Sequence, residues 1–380
     1  MINNDRLIKT ILTLLSIDSP SKREGELADF LKKKLASLGF EVYEDSAGSI
    51  VQGEVGNIIG RRKGDGIPIL FNAHMDTISS TQGMKVKIEG DIIKQEGASI
   101  LGGDDKAGIA AILEAVESIV EKGIPHPPLE VVFTISEEIG LEGAKALDVS
   151  QLEAKAGFVL DGGEPQIAII SAPSHERVSF FVRGKSAHAG VHPEEGINAI
   201  QLAAKAIAKM RLGRIDEETT ANIGVIKGGK ARNIVPDFVE ILGEARSRDE
   251  RKLRAQVEHM ISCFEEVKMA GGDVIHKVER EYNMFRLPPD SLPLQLLLSA
   301  GRAIGISVVL RDGGGGSDAN VFNEKGIPSL IMGAGAHKPH CPEETINLRE
   351  LEISALLLFH IVREAGKKGS SDNWEKEIQI

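Results

Sequence analysis

The sequence predicts an α/β protein, a mixed sheet flanked by helices, interrupted by a ferredoxin-like βαββαβ domain. Three observations lead there. Short runs at residues 67–72, 129–135 and 157–160 are nearly all apolar, as suits strands buried on both faces. Ile109, Ile112, Leu113, Val116, Ile119 and Val120 recur at the helical period, so a packed helix starts at about Lys106. From about His175 the texture changes to strand 177–183, helix 196–210, strands 222–226 and 238–245, helix 251–267 and strand 274–282. That order is βαββαβ. A chain of 380 residues is too long for one ordinary core, so we assign 1–174 and 287–380 to one domain and 175–286 to an insertion within it.

The remaining elements follow in chain order. Two N-terminal helices are separated at Ser19-Pro20, the second opened by a capping box of Ser21 with Glu24 and closed at Gly39. A strand is expected at 40–43, then a hairpin of 86–89 and 92–95 turning at Gly90-Asp91. Pro125 to Pro128 end the central helix. In the insertion, Leu253, Val257, Met260, Phe264 and Val267 give the second helix one apolar face to cover a four-stranded sheet. After Pro288-Pro289 come a helix from Leu292, a strand at 307–310, the glycine loop 313–316, a helix from Ser317, a strand at 329–332, a helix over 348–364 and a solvated tail.

Composition narrows the function classes. The apolar share of 42% and charged share of 27% are those of a soluble globular protein, and 4% aromatic residues leave the core to aliphatic side chains. A net charge of -11 argues against a nucleic-acid or anionic-membrane surface and suits divalent cations. Cys263 and Cys341 form no CxxC, so reduced thiols and a cytoplasmic setting are expected. No apolar run reaches membrane-spanning length, and the stretch 7–17 runs into Asp18-Ser19-Pro20 rather than a cleavage site.

The chemistry-bearing residues sit at element ends. Gly102-Gly103-Asp104-Asp105-Lys106 places two carboxylates at a helix mouth, where capping is the plain alternative. His74-Met75-Asp76, Glu137-Glu138, Asp161 and His340 each end or closely follow an apolar run, and strand carboxyl ends of an open α/β sheet are where ligands collect. In His74-x-Asp76 the acid can orient a ligating imidazole. Adjacent acids after a buried strand repel, which a divalent cation would relieve; one of them can then bind the cation while the other takes a proton. His337 and Cys341 compete with His340, and sequence does not choose. Gly162-Gly163 after Asp161 permits a tight turn. Gly184-Lys185-Ser186 lacks the glycine at 179 that a phosphate loop needs, Gly315-Gly316-Ser317 lacks the second flanking glycine of a nucleophile elbow, and no HExxH is present.

Taken in order, His74-Met75-Asp76-Thr77, Gly103 to Gly108, Ser136-Glu137-Glu138, Leu160 to Gly163, Gly184 to Gly190, Gly315 to Ala319 and His340 resemble the M20 family of dinuclear zinc metallopeptidases and amidohydrolases. The likeness is greatest to its peptidase T-like branch. It implies a zinc-peptidase-like catalytic domain interrupted by a lid that often mediates homodimerisation. It implies two Zn2+ per chain, replaceable by Co2+ or Mn2+, with His74 and Asp161 on one, Glu138 and His340 on the other, and Asp104 bridging. Asp104 is favoured over Asp105 because the family's ligand stands two places before the lysine, here Lys106. Asp76 would orient His74, Glu137 would be the general base, His188 would polarise the substrate carbonyl, and Asn222 and Arg246 would bind a substrate carboxylate. The expected substrate is a short peptide, cut by an aminopeptidase acting on tripeptides. A related deacylase, dipeptidase or carboxypeptidase is the alternative, and a non-catalytic peptide- or metal-binding protein a remoter one.

Overall fold

The structure, a computed structural model, describes residues 2–97 and 99–369; the expected solvated tail lies outside the described residues. Two compact units divide the chain. The first comprises Met1–Ile170, Arg286–Asp312 and Ser317–Ile380, the second Ser171–Phe285 with Gly313–Gly316. The glycine loop thus packs with the second unit, where the sequence reading had given it to the flanking domain. Gly316 explains this: a Cβ there would lie 2.2 Å from the Tyr282 ring.

The first unit is built on a nine-stranded mixed sheet whose central order is Glu41–Glu44, Ile58–Arg62, Leu129–Thr134, Ile69–His74, Ala156–Val159, Ser329–Met332 and Ile167–Ala172. Ile69–His74 runs parallel to Leu129–Thr134 and Ala156–Val159, and Ser329–Met332 parallel to Ala156–Val159, while both flanking pairings are antiparallel. The parallel strands are buried along their whole length, which is why their sequences show unbroken apolar runs rather than alternation. Helix Gly103–Glu121 lies against Ile69–His74 and is sandwiched by helices Asn4–Leu15 and Leu348–Gly369. A small second sheet pairs the expected hairpin, Lys85–Glu89 with Ile92–Glu96, to the three-residue strand Thr345–Asn347.

The capping box is corrected. Helix Gly25–Ser37 begins after Glu24 with no side-chain cap. Ser21 Oγ instead donates to Asp76 Oδ2 at 2.7 Å, and Glu24 Oε1 accepts from Ser136 N at 3.0 Å. Local spacing suggested the cap; long-range partners claimed both side chains.

The second unit is an antiparallel sheet in the order Gly213–Arg214, Thr219–Gly228, Phe238–Ser247, Ser174–Arg183, Asp273–Tyr282. Alternate residues of Phe238–Ser247 are buried, and with Val178, Phe180 and Val182 they meet helices Ala199–Lys209 and Glu250–Ser262 in one core. The helix expected over 251–267 is two pieces, Glu250–Ser262 and Glu265–Met269, and at the break Phe264 stacks on Phe180 with centroids 4.2 Å apart. Among the described residues no helix is long and apolar enough to cross a membrane.

Phe264 is 2% and Phe180 0% exposed, so Phe264→Ala is expected to cost about 3–5 kcal/mol through lost burial and the cavity left. Urea unfolding monitored by hydrogen exchange of residues 174–282 measures it. A loss below about 1 kcal/mol, the scale of a single methyl group, would mean the stack does not hold the helices together.

Candidate metal centre

The parallel strands end on one edge, and the chain leaving each carries a candidate ligand. His74 closes Ile69–His74, Glu137-Glu138 follow Leu129–Thr134, Asp161 follows Ala156–Val159, and His340 lies on the excursion after Ser329–Met332. Asp104 comes from the mouth of helix Gly103–Glu121. Gly102 takes φ +73°, Asp104 and Asp105 are non-helical and joined by a cis peptide, and the regular helix begins at Lys106. Gly108 lets this helix approach the next strand: a Cβ there would stand 2.6 Å from the Leu160 carbonyl oxygen.

Asp104 sits between two imidazoles. Its Oδ1 is 3.1 Å from His74 Nε2 and its Oδ2 is 3.4 Å from His340 Nε2. Glu138 Oε2 is 3.0 Å from the same His340 nitrogen. His74, Asp104 and Glu138 each offer a ligand atom within 4.8 Å of the others. Asp161 lines with Asp104, Asp105 and Gly162 a cleft of about 210 Å³. Asp105 turns away from this role: Oδ1 accepts from Gly108 N at 3.2 Å and Oδ2 from His74 N at 3.3 Å, so it caps the helix.

His74 is oriented by the main chain. Its Nδ1 is 2.8 Å from the Asp76 carbonyl oxygen, which assigns the proton there and leaves Nε2 as the donor atom. The Asp76 carboxylate, expected to do this, is 3.5 Å away. It instead accepts from the backbone N–H groups of Glu137 at 2.9 Å and Glu138 at 3.2 Å.

Burial pushes the carboxyls of Asp105, Glu137 and Asp161 well above the usual range, with neighbouring carboxylates adding to the effect. Burial pushes Asp104 up as well, but the imidazoles of His340 and His74 reverse this and hold it well below that range. Contact with Asp104 and then Glu138 raises His340 to about 10. The residues fit a pair of divalent cations. His74, Asp104 and Glu138 converge, His340 touches the last two, Asp161 lines the same cleft as Asp104, and Glu138 Oε1 is buried with no hydrogen-bond partner among the described residues.

Residues 70–364 match the model of peptidase family M20/M25/M40. The chain belongs to that family. It is a peptidase of the peptidase T-like branch, as its relatives bear out. It is 41% identical to the crystal structure of aminopeptidase PepT from Bacillus cereus ATCC 10987, covering 96% of this chain and 99% of that one with a TM-score of 0.87. A tripeptidase from Staphylococcus aureus subsp. aureus Mu50 superimposes with a TM-score of 0.92 at 36% identity, over 97% and 100% of the two chains. YqjE of Bacillus subtilis (strain 168) is 42% identical over 97% of this chain and all of its own length.

The open choice at 337–341 has a structural outcome. His337 Nε2 is held 2.5 Å from Glu350 Oε2, and Cys341 Sγ donates to the Lys338 carbonyl at 3.2 Å, while His340 Nε2 is the ring nitrogen in contact with Asp104. The chain bends at Gly163, and the Gly162 and Gly163 carbonyls accept from Ala334 and Gly335 at 2.9 and 2.8 Å, an approach that a Cβ at Gly333 would block.

Two further side chains, Glu344 and Asp318, carry no role that the sequence assigns. Glu344, buried, accepts from Leu101 N at 3.0 Å, Gly102 N at 2.8 Å and Asp104 N at 2.9 Å, tying down the loop that presents Asp104. Glu343-Glu344 is also an adjacent acidic pair, but it lacks the preceding buried strand that singled out Glu137-Glu138. Asp318, buried behind the strand ends, accepts from Thr134 Oγ1 at 2.5 Å and is raised by burial to about 6.

Of the second-unit candidates, His188 is exposed, bridged to Ile234 just before a turn and with its Nδ1 accepting from Gly190 N at 3.2 Å, and Asn222 is exposed on Thr219–Gly228. Arg246 is engaged: Nε and Nη2 meet the two oxygens of Glu244 at 3.1 and 3.0 Å, and Nη1 meets Tyr282 Oη at 3.2 Å.

Glu344→Ala should release the loop and weaken metal affinity by about 10- to 100-fold, as loss of a support behind a ligand typically does. Chelator competition on the metal-loaded protein reads this. Unchanged affinity would show that the loop holds its shape without Glu344.

Proposed function

We propose that the protein is a dinuclear zinc aminopeptidase that releases the N-terminal residue of short peptides, tripeptides above all. The observation that carries this is the carboxylate of Asp104, with one oxygen toward His74 and the other toward His340. A shared carboxylate between two sets of donors is what a pair of ions requires. In this reading His74 and Asp161 hold one ion, Glu138 and His340 the other, and Asp104 both. Two imidazoles and three carboxylates suit Zn2+, with Co2+ or Mn2+ as substitutes. The names of the 41% and 36% identical relatives, an aminopeptidase and a tripeptidase, support the substrate class.

Ions held there supply Lewis acidity, polarising the scissile carbonyl and acidifying water at the site. Glu137 takes the proton of the attacking water and delivers it to the departing amine nitrogen. Asp76 grips the backbone of Glu137 and Glu138 together, so base and ligand keep a fixed relation. His188 is assigned, by family likeness, to donate to the carbonyl oxygen as negative charge builds there. Asn222 and Arg246 are assigned to the substrate carboxylate; Arg246 would exchange Glu244 for it.

Glu137→Gln should leave the metal content unchanged and lower kcat by ~10² to 10⁴-fold, the usual worth of general-base catalysis. A loss under about tenfold with full metal content would take Glu137 out of that role. A free tripeptide should be cleaved and its N-acetylated form refused by the zinc-reconstituted protein. Faster turnover of the acetylated form would assign a deacylase instead.

A further inference from the structure

The segment between the first two helices carries a sequence motif that neither the helix nor the metal centre absorbed. Ser19 Oγ donates to the Met75 carbonyl at 2.8 Å, Ser21 Oγ to Asp76 at 2.7 Å, and Thr77 N to the Ser19 carbonyl at 2.9 Å. Glu24 goes further. Fully buried, it accepts through Oε1 from both Ser136 N at 3.0 Å and Ser136 Oγ at 3.2 Å, and from Lys22 N at 2.9 Å. Ser136 has φ +52°, a left-handed backbone that a residue with a Cβ keeps only when its surroundings hold it there. It is the hinge between strand Leu129–Thr134 and Glu137-Glu138. Three successive N–H groups, of Ser136, Glu137 and Glu138, therefore end on two buried carboxylates, Glu24 and Asp76.

We propose that Glu24 is a positioning residue for the peptidase reaction: by holding Ser136 left-handed it sets the direction in which Glu137 and Glu138 leave the strand. The inference rests on the assignment of Glu137 as base. A helix-capping role does not account for Glu24, since helix Gly25–Ser37 receives no side-chain cap from it. What matters is an acceptor oxygen at Oε1. Burial, and then the charge of Asp76, raise the Glu24 carboxyl to about 7, and Oε2 has no hydrogen-bond partner among the described residues, so exchanging it for an amide nitrogen breaks no existing bond. Glu24→Gln keeps the acceptor; Glu24→Ala deletes it and leaves two donors of Ser136 unanswered. Displacing a reacting group by about 1 Å costs on the order of 10²-fold in rate, which bounds the expected effect.

The test compares Glu24→Ala, Glu24→Gln and the double variant Glu24→Ala/Ser136→Gly, in which glycine accepts the left-handed backbone without help. Each is assayed with a free tripeptide for kcat and KM, for metal content and thermal midpoint, and, metal-free, for hydrogen exchange of the peptide covering residues 134–139. Glu24→Ala should lose about 10- to 100-fold in kcat at unchanged KM and metal content, with faster exchange over 134–139. Glu24→Gln should restore both, and Ser136→Gly should recover part of the rate in the alanine background. Wild-type kcat in Glu24→Ala, a glutamine variant as slow as alanine, or a loss that tracks missing metal or unfolded protein would each overturn the proposal. Should the alanine variant not fold, Glu24→Asp, one methylene short of Ser136, carries the same readouts. An unimpaired Glu137→Gln would sink the base assignment instead, and the exchange measurement, independent of turnover, separates that failure from this one.

Discussion

One carboxylate shared by two imidazoles sets the terms for the rest of the first unit. Asp104 can face His74 and His340 at once only because its backbone leaves the glycine loop in a non-helical conformation just before the helix becomes regular at Lys106. That loop needs acceptors for its own N–H groups, which Glu344 provides. The helix behind it needs a flat approach to the sheet, which Gly108 allows.

The same edge concentrates negative charge where water is scarce. Asp105, Glu137 and Asp161 are all driven toward the neutral form by burial, and the charge of Asp161 adds to the push on the other two. Such crowding is unfavourable to folding unless something opposes it. Part of the opposition is local: Asp76 and Glu24 are answered by backbone N–H groups, and Asp105 by those of His74 and Gly108. The remainder fits cation binding, so fold stability and site occupancy are thermodynamically linked, each ion stabilising the folded chain according to its affinity.

Legibility in the sequence followed the range of the interaction. Unbroken apolar runs announced the parallel strands, because burial on both faces is written in every residue of the strand itself. The βαββαβ order of the second unit was likewise carried by local periods. His340 could not be separated from His337 and Cys341, since the deciding partner of His337 is Glu350, on the following helix. Ser21 and Glu24 match a capping box by spacing, yet Glu24 bonds Ser136, 112 residues away, and spacing is blind to that. Thr345–Asn347 was missed because three residues carry no period; only pairing with Ile92–Glu96 makes them a strand. The grip of Glu244 on Arg246 was open to view, as residues two apart on a strand share a face.

That short strand has a kinetic meaning. Thr345–Asn347 stitches the late stretch bearing His340 and Glu344 to a hairpin made some 250 residues earlier, a closure of high contact order that comes slowly in folding. During synthesis the N-terminal portions emerge and collapse first, with His74, Asp104 and Glu138 already in the chain but the loop at Asp104 unstrapped and its second imidazole still unmade. A chain cut short before residue 340 lacks both the second imidazole that faces Asp104 and the Glu344 that straps its loop.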